Sequence, residues 1–387
     1  MSSAITVSNA ARPRIAPADL LGRGHDVVYG AHARALVRGR RILVTGAGGS
    51  IGSEIVRQLS TLAPERVFLL DHDESALHAL QLELDGNGLL DNDQVILADV
   101  RDRSVMRRVM HSVGADMVFH AAAHKHLPLL ERYPVEGVKA NVMGTYNVVT
   151  AAVEAGVERF INISTDKAAR PTSVLGATKR LAELLVSSYA GQGTRVASVR
   201  FGNVLGSRGS FLCSLAYQID HLRPVTITDR SVTRFFMTIP EAAGLVIESA
   251  VMARGGETYV LDMGEPVRIV DLVDRYVELT GSLTPEVVFT GLREGEKLHE
   301  ELLDAAEDRR RTLHPRIWSV SQKNGRGDQA RSGAHRLNEM ILDGRYAEVR
   351  QTLFDLVPGG RGAPTCRRSA SVDRDPVAPE ALVANAG

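Results

Sequence analysis

Between Arg41 and Arg200, short runs of β-branched and other apolar residues alternate with stretches whose apolar positions recur at helical spacing. The runs Arg41 to Thr45, Arg66 to Leu70, Gln94 to Ala98, Met117 to Phe119, Phe160 to Ile163 and Arg195 to Arg200 read as strands. This alternation predicts an α/β fold, a doubly wound parallel sheet with helices on both faces and ligands beyond the carboxyl ends of the strands. After Phe201 the rhythm breaks into loops, short strands (Val225 to Thr228, Thr258 to Leu261) and helices (Ile239 to Ala253, Val267 to Leu279), which predicts a smaller α/β substrate-binding lobe. Leu337, Ile341, Tyr346, Val349, Leu353 and Leu356 regain helical spacing and read as a terminal helix pair. The expected division is an extension (1–38), a nucleotide-binding unit (39–205), a lobe with segments returning to that unit (206–335), a helical segment (336–358) and a tail (359–387). The tail is rich in Ala, Pro and Ser and is expected to be disordered. Within the extension, Asp19-Leu20-Leu21-Gly22-Arg23 is expected to form a docking turn.

The first predicted strand runs into Val44-Thr45-Gly46-Ala47-Gly48-Gly49-Ser50-Ile51-Gly52-Ser53-Glu54 and then into a helix, Ser50 to Leu59. Gly46 permits a tight turn, Gly49 lets backbone approach a pyrophosphate, and Gly52 lets helix pack on strand, with Ser50 and Ile51 at the helix start facing the phosphates. Asp71, about 20 residues downstream, is placed to accept from the adenosine ribose. Together these mark a Rossmann dinucleotide site, and the carboxylate favours NAD over NADP, whose 2′-phosphate would meet like charge.

Composition removes other classes. The chain has 387 residues, 44% of them hydrophobic, which rules out whole-chain disorder. Lys plus Arg equals Asp plus Glu at 46 each, so no overall field favours nucleic acid or an anionic membrane. Cys213 and Cys366 have no ligand spacing and suit a reducing compartment. No window approaches the roughly 18 apolar residues of a membrane span, and no secretory signal is evident, so a soluble, cytoplasmic protein is expected. His120, His124 and His126 lack acidic or cysteine partners at ligand spacing, so no metal is expected.

The fifth strand ends in Ile161-Asn162-Ile163-Ser164-Thr165-Asp166-Lys167, and the next helix contains Leu175-Gly176-Ala177-Thr178-Lys179. Short-chain dehydrogenases/reductases place a Ser or Thr at this strand end and a Tyr-x-x-x-Lys pair on this helix. Lys179 matches the lysine, but Leu175 stands where the tyrosine would be and can neither give nor take a proton. Asp166 and Lys167 supply a carboxyl group and an amine instead, an acid and a base tuned by burial and proximity. A surface ion pair is the ordinary alternative; the position at the carboxyl end of a cofactor-facing strand argues for the site.

The segments quoted so far, with Asp71-His72-Asp73-Glu74, His120-Ala121-Ala122-Ala123-His124-Lys125-His126-Leu127-Pro128-Leu129, Arg200-Phe201-Gly202-Asn203-Val204-Leu205-Gly206-Ser207-Arg208-Gly209-Ser210, Thr233-Arg234-Phe235-Phe236-Met237-Thr238 and Gly295-Glu296-Lys297-Leu298, resemble the nucleotide-sugar 4,6-dehydratases of bacterial polysaccharide biosynthesis. The resemblance runs from about Asp19 to Leu356. It implies a UDP-N-acetylglucosamine-type substrate, a bound nicotinamide that oxidises C4, removal of the C5 proton by Lys167, protonation of the departing C6 hydroxyl by Asp166, and hydride return to C6. It further implies that Lys179 holds the nicotinamide ribose, that Asp99 and Val100 face the adenine, that Asn141 lies on the central helix, and that Lys125 lies near the substrate. Asn203, Arg208, Arg234 and Arg293 are candidates for the diphosphate, and Glu296 for the uridine ribose. Thr165, Lys179 or a water is left to take the C4 proton. A homo-oligomer is implied as well, as is a soluble version of relatives that carry membrane helices ahead of this portion. A 4-epimerase and a non-catalytic cofactor sensor are the competing readings.

Overall fold

Ile42 and Val44 point to one side of the first strand and Leu43 to the other, and none has exposed surface, so the sheet is covered on both faces. The computed structural model describes residues 15–22, 29–305, 307–322 and 327–360. One sheet contains β1 (Arg41–Thr45), β2 (Arg66–Asp71), β3 (Val95–Leu97), β4 (Met117–His120), β5 (Arg159–Ile163), β6 (Arg195–Arg200), β7 (Glu257–Leu261), β8 (Glu307–Arg311) and β9 (Ile317–Gln322). Their order is β8-β9-β7-β6-β5-β4-β1-β2-β3. The first seven strands run parallel, with Val44 of β1 level with Leu69 and Phe119, while β8 and β9 add an antiparallel edge. The doubly wound α/β expectation therefore holds.

Helices α1 (Ser50–Ser60), α2 (Glu74–Asp85), α3 (Arg103–Val113), α4 (Gly144–Glu154), α5 (Val174–Ser187), α6 (Ile239–Met252), α7 (Ile269–Thr280), α8 (Gly327–Leu342) and α9 (Tyr346–Leu356) surround it. Ile55, Val56 and Leu59 of α1 join Leu245 and Val246 of α6 over one face, and Met106, Met110, Val148 and Val149 from α3 and α4 cover the other. The terminal helices α8 and α9 pack Leu337, Met340 and Leu353 onto Leu181 and Leu185 of α5. A separate apolar cluster joins Leu205, Leu215, Ile219 and Leu272 of the lobe.

Three features escaped the periodicity. Strand β8 reads Glu-Asp-Arg-Arg-Arg and has no apolar pattern; it forms because β9 offers a free edge and Trp318 lies under Arg309 and Arg311. Part of the extension is structural, since Ala33 and Val37 of the helix Ala31–Val37 are fully buried. The Asp19–Arg23 turn is realised, as far as it is described, as the helix Pro17–Leu21, whose Leu20 enters the lobe core while Asp19 O accepts from Arg275 Nε at 3.0 Å. Apart from Gly359 and Gly360, the tail expected to be disordered lies outside the described residues, as does Cys366; Cys213 is exposed.

Beneath the end of β5 lies an ionic cluster of buried side chains. Arg200 reaches Glu183 through two contacts of 2.7 Å and Glu307 through two of 2.8 Å, and Arg180 joins both carboxylates at 3.0 and 2.8 Å. Burial alone would raise the Glu307 carboxyl, but Arg200 and Arg180 pull it from its ordinary 4.5 down to about 2. Arg200→Met strips both glutamates of their main partner and is expected to cost about 3–5 kcal/mol in urea denaturation at neutral pH. Because the Glu307 contribution is present above its ordinary range and lost as pH falls toward 2, the gap between wild type and variant narrows on acidification.

Candidate active site

The turn after β1 is forced by sterics. Gly46 has φ +69°, and a Cβ on Gly52 would lie 2.0 Å from Gly46 O, so only glycine lets α1 start against the turn. The N-terminus of α1 begins after Gly49 without a side-chain cap, which leaves it open to a phosphate. Asp71 is buried at the end of β2; its Oδ2 accepts from Gly48 N at 2.9 Å, and its Oδ1 from His72 N and Asp73 N at 2.8 and 3.0 Å. A cavity of about 660 Å³ is lined by Gly46, Gly49, Ser50, Ile51, Gly52, Asp71, Asp99 and Val100, and also by Lys125, Thr165, Lys167, Leu175, Lys179, Asn203 and Arg208. The uncapped helix start, the glycine cradle and the carboxylate fit a dinucleotide.

The catalytic candidates leave β5 on a single turn. Asp166 N donates to Phe201 O at 3.0 Å, and Ser164 Oγ donates to Glu183 Oε1 at 2.6 Å, tying the strand end to the ionic cluster. A Cβ on Gly176 would lie 2.4 Å from Lys167 O, so glycine is what lets α5 press against this turn. Asp166 has no exposed surface; its Oδ1 accepts from Thr165 Oγ1 at 2.8 Å, Lys167 N at 2.9 Å and Lys167 Nζ at 3.0 Å. Thr165 and Lys167, which line the cavity, thus stand between it and the carboxylate. Burial alone would lower the Lys167 amine, but Asp166 and then Glu300 outweigh it and hold the amine charged above its ordinary range.

On α5, Leu175 and Lys179 both face the cavity. Burial pushes the Lys179 amine down to about 8, with Glu183 opposing. His120 bonds Thr45 Oγ1 at 2.7 Å and Thr145 Oγ1 at 3.0 Å, and Thr145 donates to Asn141 O. Thr145 therefore accepts from His120 Nε2, and the ring is neutral because burial and Lys179 push it down to about 3. Asn141 sits in a π-helical stretch, Val138–Met143, and clamps His124 through both its amide atoms while also donating to Thr178. Among the described residues no His, Cys, Asp and Glu cluster is placed to hold a metal.

The lobe residues are less convergent. Arg208 donates to Gly48 O and, through its backbone, to Ser50 Oγ, so it lies across the glycine loop. Arg234 is buried and spends its guanidinium on Thr233 O, Leu298 O and Glu296; Arg293 N also donates to Glu296, and none of the three lines the cavity. Asp99 is paired with Arg101 at the cavity wall. Lys125 Nζ donates to Ser207 Oγ at 3.4 Å, and Asn203 Oδ1 lies 3.3 Å from Lys167 Nζ. Glu300 was absent from the sequence candidates, yet it is buried with Oε1 3.7 Å from Lys167 Nζ. Its only sequence signal was its place just after Gly295-Glu296-Lys297-Leu298.

Such a sheet, with a glycine loop and an adjacent Asp–Lys pair at a strand end, is that of an extended short-chain dehydrogenase/reductase. The chain belongs to the polysaccharide biosynthesis protein family, whose model matches residues 42–322. It is 46% identical over 303 residues to a probable polysaccharide biosynthesis protein, EpsC, of Bacillus subtilis, covering 77% of this chain and 51% of that protein. The chain spans about half the length of the first curated relatives it matches. A UDP-N-acetylglucosamine 4,6-dehydratase (inverting) of Campylobacter jejuni is 33% identical over 278 residues, 70% of this chain and 79% of that one. A UDP-glucose 4-epimerase of Rickettsia felis is 32% identical over 276 residues, 69% and 79%. Among solved structures, Pen from Bacillus thuringiensis superposes with a TM-score of 0.67 at 32% identity, covering 74% of this chain and 89% of that one. No helix among the described residues is long and apolar enough to cross a membrane.

The Lys179 amine is expected to titrate near pH 8 in ¹⁵N NMR of lysine-labelled protein, with the signal lost in Lys179→Met. An amine with a depressed titration costs stability below it, so the variant is expected to melt higher than wild type at neutral pH, the gap closing between pH 8 and 10.5.

Proposed function

We propose that this chain is a nucleotide-sugar 4,6-dehydratase that converts UDP-N-acetylglucosamine, or a similar UDP-hexose, to its 4-keto-6-deoxy derivative. The observation that carries the reading is the Asp166–Lys167 pair at the carboxyl end of β5, beside the cavity that contains the glycine loop, with a leucine at the phenol position. The family match and the similarity to a protein named as such a dehydratase support it. A nicotinamide dinucleotide, NAD in preference to NADP because of Asp71, supplies when bound the hydride acceptor at sugar C4 and the donor at C6. Gly46, Gly49, Ser50, Ile51 and Gly52 hold its pyrophosphate, Asp99 and Val100 flank its adenine, and Lys179 holds the nicotinamide ribose.

Thr165 takes the place of the missing phenol. Its hydroxyl donates to Asp166 Oδ1, so it can receive the C4 hydroxyl proton while passing its own to the carboxylate, never becoming an alkoxide. Oxidation at C4 acidifies the C5 hydrogen. Lys167, once its ammonium has given up a proton, removes that hydrogen as a proton, and as its amine swings from Asp166 toward C5 it uncovers Oδ1, from which Asp166 protonates the departing C6 hydroxyl. Elimination beside a carbonyl needs one base and one acid on opposite tasks, which this pair provides. Lys125 and Asn203 border the sugar, and Arg208 counters phosphate charge at the glycine loop. The Arg234–Glu296 ion pair, with Arg293 N on the same carboxylate, orders the segment assigned to the uridine diphosphate.

A 4-epimerase is the second reading, favoured by the similarity to a protein of that name, and product mass separates the two. Incubation with UDP-N-acetylglucosamine and NAD is expected to give a product lighter by one water, with a C6 methyl signal in proton NMR; unchanged mass identifies an epimerase. Lys167→Met is expected to lower turnover at least about 100-fold yet still reduce bound cofactor with the 6-deoxy analogue of the substrate. Thr165→Val is expected to lose both, and unchanged turnover in that variant removes Thr165 from the C4 step.

A further inference from the structure

We infer that Glu300 is a positioning residue for Lys167, the buried internal acceptor that takes the proton from its amine and leaves it a free base. The inference rests on the dehydratase reading and adds a residue to it. Glu300 is placed by a segment that crosses under the lobe: Thr233 N donates to Leu298 O, and Thr233 bridges to His299. The Glu300 side chain is 2% exposed, with Oε1 3.7 Å from Lys167 Nζ. Among the described residues its Oε2 has no hydrogen-bond partner, and the same is true of Asp166 Oδ2 and Lys297 Nζ nearby. Burying a carboxyl with so few partners is costly, so stability does not account for an acid here.

Elimination among the neighbours of Lys167 leads to the same residue. Its amine faces three oxygens: Asp166 Oδ1 at 3.0 Å, Asn203 Oδ1 at 3.3 Å and Glu300 Oε1 at 3.7 Å. The amide oxygen of Asn203 is far too weak a base. Asp166 is committed to the C4 proton that it later gives to the C6 oxygen. Glu300 remains, and contacts of this kind tighten when substrate binds. The charged groups facing it are Lys167, Asp166, Arg234 and Lys297; burial, with Asp166 as a like charge, pushes its carboxyl above the usual range against the pull of the three cations. In the step itself one N–H bond of Lys167 breaks as an O–H bond forms at Glu300 Oε1, and the freed lone pair on Nζ takes the C5 proton. When that proton returns to C5 the amine is free again, and no net proton enters from or leaves to solvent.

The test is the pH profile of kcat for wild type, Glu300→Gln and Glu300→Asp, read as ratios so that the Lys179 titration cancels. With Glu300→Gln, Lys167 has to lose its proton to solvent, so its rate relative to wild type is expected to rise about tenfold per pH unit through neutrality, while KM stays close to the wild-type value. Removing the Glu300 charge moves the Lys167 titration to lower pH without altering that slope. Glu300→Asp is expected to be slower at every pH but to keep the wild-type profile shape. Independently of turnover, infrared spectra are expected to show a carboxyl band, shifted in D₂O, that appears when the sugar nucleotide binds at constant pH as Glu300 takes the Lys167 proton, and that is missing in Glu300→Gln. Parallel profiles for wild type and Glu300→Gln, or identical carboxyl bands, would overturn the assignment while leaving the dehydratase reading intact. A wild-type enzyme that releases no water from the sugar nucleotide would overturn both.

Discussion

Two glutamates and two arginines with almost no side-chain exposure hold the site in place. Glu183 belongs to α5, Arg200 to β6 and Glu307 to β8, so their mutual attraction locks α5 to the centre and to the antiparallel edge of the sheet at once. Ser164, the last residue before the reactive turn, donates into the same cluster, which sets where Thr165, Asp166 and Lys167 leave the strand. Buried ion pairs add little to stability in general, because desolvation offsets the Coulomb attraction. Their use here is geometric, since each partner leaves the other with nowhere else to go.

Above that cluster the chemistry depends on charge kept out of water. Asp166 is a buried carboxyl reached only past Thr165 and Lys167, and the Lys167 amine is held charged above its ordinary range. In the proposed dehydration a proton added to Asp166 weakens the strongest attraction holding the Lys167 ammonium, and oxidation at C4 thereby prepares the base for C5. That coupling operates over about 3 Å in a low dielectric and would be largely lost in water. Leu175 fits this arrangement, because an apolar wall at the phenol position preserves the desolvation on which the pair relies.

The glycine loop, Asp71, the strand-end turn and Lys179 were legible because each answers a local requirement. A positive φ at Gly46, a helix start at Ser50 and a helical four-residue spacing from Leu175 to Lys179 are properties of neighbouring residues. Arg208, Arg234 and Glu296 were expected at the substrate from their chemical type and their place in the resembling segments. Arg208 went to the glycine loop and the other two went to each other, since a buried guanidinium is placed by whichever carboxylate and carbonyls lie nearest. The strand β8 had no readable signal, being built from charged residues that an open sheet edge and one tryptophan recruit.

By itself, then, the order of residues determined the parallel sheet, the nucleotide loop and the adjacent acid and base, because backbone sterics and hydrophobic period act over a few residues. Only the tertiary structure decided that Glu300 stands beside Lys167, that Glu307 completes the cluster around Arg200, and that Asp166 is sealed from the cavity. The physical reason is range: a buried charge takes its partner from whatever the fold brings within about 4 Å, and no local pattern along the chain encodes that proximity.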